Sequence, residues 1–159
     1  VSYGYAITTY VGQNLGAKEY RRIRKGVHSG VYMALITSIV ISGVMVITGR
    51  SILSLFVSGE AGQVKQVLDI AYKYLFIMAI FLWVLYLLYV YRSAIQGLGN
   101  TLIPLASGVV EFCMRVGVAL LLPKLIGEDG IFYAEICAWS GAAILLIVSY
   151  MVIIRKYKE

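Results

Sequence analysis

The chain has 159 residues, 60% of them hydrophobic and 14% charged, with a mean hydropathy of +0.84. Those values lie outside the range of ordinary soluble domains and mark an integral membrane chain, which excludes a soluble catalytic core. The formal charge of +6 would suggest a nucleic-acid partner in a soluble protein, but the cations here cluster at the ends of apolar runs and read as topology signals.

The chain opens on Val1 with no charged n-region and no small-residue cleavage site, so it reads as a fragment of a longer protein without a signal peptide. Residues 1–15 would extend only about 22 Å as a helix, too short to cross a bilayer alone. They are expected to be the end of a truncated membrane helix. Full spans are expected at 27–49, 70–91, 101–126 and 131–154, followed by a charged tail over 155–159. The fold class is therefore all-α, a polytopic membrane helix bundle of about five transmembrane helices with the first incomplete. Between Gly49 and Gly59 the stretch from Arg50 to Val57 alternates polar and apolar residues and predicts a short interfacial segment. Asn100 is placed to cap the helix over 101–126, Pro104 falls in its first turn, and Pro123 should end or bend it near Lys124.

Orientation follows from the basic residues. Lys18, Arg21, Arg22, Arg24, Lys25, Arg92, Arg155, Lys156 and Lys158 fall on one side, against Arg50, Lys65, Lys73 and Lys124 on the other. That imbalance predicts a cytoplasmic C-terminus. The cluster from Lys18 to Lys25 could also meet anionic lipid headgroups, although orientation is the stronger reading. Tyr72, Tyr74, Tyr89 and Tyr91 stand where interfacial aromatics are expected. Small residues four apart predict close helix contacts: Gly12 and Gly16, Gly26 and Gly30, Ser38 and Ser42, and Ala134, Ala138 and Ala142.

No soluble-type catalytic or metal constellation is present. His28 is the single histidine, at the mouth of a span, and Cys113 and Cys137 lie in separate apolar runs without ligand spacing. Gly97, Leu98 and Gly99 lack the rest of a phosphate-cradling loop and read as a turn. Enzymatic chemistry and a bound cofactor are not expected.

The informative anomaly is Glu111 with Arg115, one turn apart in an otherwise apolar span. Glu111 would lie about 15 Å from Thr101, near the midplane of a hydrocarbon core about 30 Å thick. Such charges face a bundle interior or a wet cavity and point to transport, although a purely structural clamp would look the same in sequence. Desolvation of the carboxylate and its attraction to the guanidinium are comparable in size. Glu111 could then alternate between Arg115 and a proton, sodium ion or organic cation. Glu135, about 6 Å from the outer edge of its span, is expected to be solvated. Trp83 and Tyr86, three residues apart, could offer ring faces to an organic cation, with packing the commoner role.

Two stretches carry a family resemblance. Gly12, Gln13, Asn14, Leu15, Gly16 and Ala17, with Tyr20, Arg21 and Arg22, resemble a signature of the multidrug and toxic compound extrusion (MATE) family. So do Arg92, Ile95, Gln96, Gly97, Leu98, Gly99, Asn100, Thr101 and Pro104, followed by Glu111 and Arg115. Their order, with a basic tail after the last span, is similar to that family's C-terminal lobe. The resemblance implies a secondary transporter of two six-helix lobes and twelve helices in the cell membrane. It would export drugs or other organic cations in exchange for protons or sodium ions. Its implied partners are membrane lipid, cationic or amphiphilic small molecules and the N-terminal lobe of the same chain, without nucleic acid. Some branches carry a buried Asp about three turns before the arginine matched by Arg92; Phe81 stands in that region here, leaving Glu111 as the deep acidic residue. Related exporters flip lipid-linked oligosaccharides through cationic cavities, an alternative that one deep arginine supports less well than cation export. A membrane assembly protein without transport activity is a third reading.

Overall fold

The computed structural model describes residues 2–127 and 130–157. Expectations for Val1, Lys158 and Glu159 lie outside the described residues. Six helices follow in order: α1 Ser2–Gly16, α2 Tyr20–Ser54, α3 Ala61–Ile80, α4 Leu82–Gly97, α5 Leu102–Ile126 and α6 Gly130–Lys156. An apolar chain in hydrocarbon has no water for its peptide groups, so helices that bond internally are the available solution. Three of the helices are long and apolar enough to cross a membrane, and α3 with α4 makes a fourth span if the bent pair is counted as one.

Expected and observed boundaries agree for α1 and α5 and differ elsewhere. α2 takes in Arg21, Arg22, Arg24 and Lys25 at its start and runs through Ser54 at its end. Most of the expected interfacial segment is therefore helix. Gly49 does not break it, because that glycine is buried against Leu75 of α3, whose side chain comes within 2.5 Å of where a Cβ would stand. The span expected over 70–91 is instead two helices meeting at Phe81 with a 48° bend. Neither proline nor glycine marks the break; the ladder tightens there, with the Val84 N–H donating to the Phe81 carbonyl. α6 absorbs Arg155 and Lys156, so the tail shortens.

The core centres on α4, which packs against α1, α2 and α6. Leu88, Ala94 and Ile95 of α4 are fully buried with Val11 of α1, Ile23 of α2, and Ala142 and Leu146 of α6. α5 packs mainly on α6 and only sparsely on α4, and α3 leans on α2. Large side chains such as Ile36, Ile47, Phe112, Leu120 and Ile144 face outward, as lipid-facing residues do.

Both recognisable motifs are helix stops that meet in space. After α1, Glu19 N–H donates to Asn14 O at 2.9 Å and Lys18 N–H to Leu15 O at 3.0 Å. After α4, Asn100 N–H donates to Ile95 O at 3.2 Å and Gly99 N–H to Gln96 O at 3.0 Å. These paired bonds form Schellman caps, which place one residue in the left-handed region. Gly99 takes it with φ +85°, whereas at the first stop the burden falls on Lys18 with φ +60°, not on Gly16. Asn100 then restarts the chain, its Oδ1 accepting from the Leu102 and Ile103 N–H groups at 3.1 Å each. Pro104 sits in the first turn of α5, and Pro123 lies in the last, four residues before Gly127 ends it with φ +83°.

The motifs touch through glycine. A Cβ on Gly97 would lie 2.7 Å from Val11 Cβ and 2.8 Å from the Thr8 carbonyl, while one on Gly12 would find only Gly97 O, at 3.7 Å. Thr8 also donates its hydroxyl to Ser93 O at 3.1 Å across the same crossing. Other small residues do similar work: Gly26 meets the Tyr10 ring, Gly30 meets Ile7, and Ser42 donates to Ala79 O at 2.6 Å. Ser38, Ala134, Ala138 and Ala142 are buried, but Gly16 faces open space. At one end Arg24 of α2 donates to the Ile154 and Tyr157 carbonyls at 3.3 and 3.4 Å, and Tyr20 stacks on Tyr157 with centroids 5.1 Å apart. That contact gathers the basic starts and ends of α2 and α6 on one face of the bundle.

Two outcomes follow for thermal unfolding in detergent. Gly97→Ala should cost about 1–3 kcal/mol through overpacking against backbone, while Gly12→Ala should stay near wild type. Lys18→Gly should add about 1 kcal/mol by relieving the left-handed residue.

Candidate functional site

The charged residues that meet within the bundle sit on α4, α5 and α6. Glu111 and Arg115 share one face of α5, and Arg115 Nη2 donates to Glu111 Oε1 at 3.0 Å. From α4, Arg92 Nη2 donates to the other oxygen, Glu111 Oε2, at 3.2 Å. Glu111 is thus held from two helices by one contact each, and its side chain is 18% exposed. On its far side Arg115 reaches α6, with Nε 2.9 Å from Glu135 Oε1 and Nη2 3.0 Å from Glu135 Oε2. The Nη2 contact is a hydrogen bond, whereas the buried Nε finds no aligned acceptor, so Glu135 meets Arg115 as an ion pair with one hydrogen bond.

Counting residues along the helices gives these groups a vertical order. Arg92 stands about 7 Å from the end of α4, Glu111 about 14 Å into α5, Arg115 about 20 Å in, and Glu135 about 8 Å from the start of the antiparallel α6. The result is a ladder of alternating sign, Arg92, Glu111, Arg115, Glu135, climbing about 20 Å of the bundle with a formal charge of zero. Ser107, fully buried one turn before Glu111, donates its hydroxyl to Pro104 O at 2.7 Å and accepts from Arg92 Nη2 at 3.2 Å. Tyr74 of α3 lies within electrostatic reach of Glu135 and Arg115.

Two expectations change here. Glu135 is not simply solvated: it is 28% exposed and ion-paired with Arg115. Arg92, counted among the flanking topology charges, reaches inward to Glu111 instead. Ser107 joins the site without an expectation from the sequence, although it precedes Glu111 by four residues just as Arg115 follows it by four. Glu135 had a signal too, since it stands three residues before Ala138 and seven before Ala142, on the packed face of α6.

The remaining candidates scatter. Arg92, Gln96, Pro104 and Phe112 line an open groove of about 590 Å³ between α4 and α5. Tyr86 lines a separate cavity of about 390 Å³ with Tyr3, Met45 and Tyr89, whereas Trp83 is 45% exposed and does not line it. Gln13, Gly16 and Ala17 are exposed around the α1 stop, and Asn14 donates to Tyr10 O at 2.8 Å. His28 is exposed, and Cys113 and Cys137 are free thiols. Among the described residues no His, Cys, Asp and Glu group converges to hold a metal.

The family model described as MatE matches residues 1–121 of this chain. Among solved structures, an inward-facing multidrug resistance MATE family transporter of the MOP superfamily is similar in fold, with a TM-score of 0.88 and 17% identity. The match covers 97% of this chain and 35% of that one, so this chain spans about a third of that transporter's length. No curated protein matches it.

Burial separates the ion pairs by strength. Arg50 and Asp69 lie 2.6 Å apart but are 55% and 52% exposed, so Arg50→Ala should change stability by less than about 1 kcal/mol. Arg92→Ala leaves Glu111 short of a partner and should cost about 3 kcal/mol, read as a lower melting temperature in detergent.

Proposed function

The chain belongs to the MatE family, and from that premise we propose that it is the C-terminal lobe of a two-lobe, twelve-helix secondary transporter. The protein exports drugs or other organic cations in exchange for protons or sodium ions; this chain is a carrier lobe, not an enzyme. Its long apolar helices and its family make it an integral membrane protein. The interlobe cavity requires the N-terminal lobe, so this lobe works with the rest of its own protein. A cytoplasmic C-terminus is supported by the basic face that Arg24 builds by joining the start of α2 to the end of α6.

One observation carries the coupling assignment: Glu111 is a largely buried carboxylate shared by two arginines from two helices. At 4 Å and an effective dielectric near 20 each attraction is worth about 4 kcal/mol, against a desolvation penalty of several kcal/mol per ion. The balance is close, so modest changes in hydration decide whether Glu111 holds its arginines or a proton or sodium ion. A pyrophosphate-bearing cargo would call for unpaired cations. Here each ladder arginine is matched by a carboxylate, which favours cation export over oligosaccharide flipping. Tyr86, on the wall of a cavity, is the better placed of the two aromatic candidates.

The test uses the full-length protein in inside-out vesicles with a fluorescent cationic dye. An imposed proton or sodium gradient should drive dye accumulation, and Glu111→Gln should cut the gradient-driven part at least about tenfold, the scale of a lost coupling group. Full ion-coupled uptake in Glu111→Gln would overturn the coupling role. Uptake that responds to neither gradient would overturn the exchange itself.

A further inference from the structure

Glu135 lies on α6, beyond the residues matched by the family model, yet both of its carboxylate oxygens lie against Arg115. We propose that Glu135 is the positioning carboxylate that holds Arg115 while Glu111 takes up its cation, so that α6 sets how tightly α5 binds the coupling ion. This rests on the reading of Glu111 as the coupling carboxylate.

The argument begins with what each guanidinium loses when Glu111 is neutralised. An arginine left without a partner in a membrane span is disfavoured, and such a site would resist taking up any cation. Arg92 gives up one contact at 3.2 Å and keeps the Ser107 hydroxyl, also at 3.2 Å. Arg115 gives up one contact at 3.0 Å and keeps the Nη2 hydrogen bond to Glu135 at 3.0 Å with the ion-pair contact of Nε at 2.9 Å. Neither arginine is orphaned, and the compensating charge for Arg115 comes entirely from α6. In the uptake step a proton passes from water to a Glu111 carboxylate oxygen, or a sodium ion exchanges water for it. The hydrogen bonds from Arg92 and Arg115 to Glu111 open, and Glu135 neither gains nor loses a proton.

The groups facing this arrangement are Arg92 from α4, Ser107, Glu111 and Arg115 from α5, and Tyr74 from α3. Removing the Glu135 charge acts in one direction through two routes. A negative charge near Glu111 disappears, and Arg115, released from its ion pair, turns wholly onto Glu111. Both make Glu111 hold its negative charge more firmly and accept a cation less readily.

The experiment measures dye uptake by full-length protein in inside-out vesicles across graded proton and sodium concentrations. Glu135→Gln should raise the cation concentration for half-maximal coupled uptake about tenfold, or move its pH midpoint about one unit toward acid, with the maximal rate changing far less. Glu135→Asp keeps the charge on a shorter arm and should shift the midpoint the same way by less, about threefold. It carries the test alone if Glu135→Gln does not elute as a folded monodisperse peak. A midpoint unchanged in the folded variants, alongside loss of coupling in Glu111→Gln, would overturn the role of Glu135 and leave Glu111 standing. Full coupling in Glu111→Gln would instead remove the parent reading.

Discussion

A charge in hydrocarbon has to be met by another charge, and in this bundle that demand ties together α4 and α5, which scarcely touch otherwise. α5 packs along α6 and meets α4 only sparsely, leaving the open groove between them. What crosses from α4 to α5 within the membrane is Arg92, bonded to both Ser107 and Glu111. From α5 the same alternation continues to α6 through Arg115 and Glu135. Apolar packing alone would let α5 slide or rotate at small cost, because lipid tails are as apolar as its leucines. The ladder removes that freedom.

The register of the ladder is set some distance from it, in the turn between α4 and α5. Nineteen residues separate Arg92 from Glu111, and a slip of one residue would turn the carboxylate by about 100° around its helix. Gly99 stops α4 in a conformation that suits glycine, and Asn100 caps α5 immediately afterwards, so the start of α5 is fixed to the residue. Gly97, just before, presses α4 against Thr8 and Val11 of α1. The motif that resembles the family's signature is therefore structural in its own contacts, and it fixes the placement of Arg92 under Glu111.

Much of this was legible in the sequence where one helix decides the matter alone. Length and hydropathy gave the all-α membrane class and the bounds of α5, and four-residue spacing gave the Glu111–Arg115 pair. Reading failed where a neighbouring helix decides. Gly49 weakens a helix by about 1 kcal/mol, but it lies under Leu75 and α2 runs on. The bend at Phe81 has neither proline nor glycine to announce it. Glu135 is close to the outer edge by residue count, and that count says nothing about the arginine beside it on α5. Arg92 sits among residues that look like a flanking cationic signal, yet its arm points back into the bundle. Depth along one helix is written in its sequence, whereas lateral partners are fixed by how helices pack.

The neutral sum of the ladder gives the proposed exchange a simple electrostatic logic. With Glu111 ionised the four groups cancel, and a cationic cargo nearby meets no net repulsion. Once Glu111 is neutralised, or its charge offset by sodium, the ladder carries one uncompensated positive charge. At about 8 Å and an effective dielectric near 20, that charge raises the energy of a monovalent cargo by about 2 kcal/mol, roughly thirtyfold in affinity. Coupling ion and cargo then exclude one another without competing for the same atoms. In the proposed exchange the groove beside Arg92 and the carboxylate behind it would share one charge balance, so that uptake of the coupling ion would be felt as release of a cargo held there.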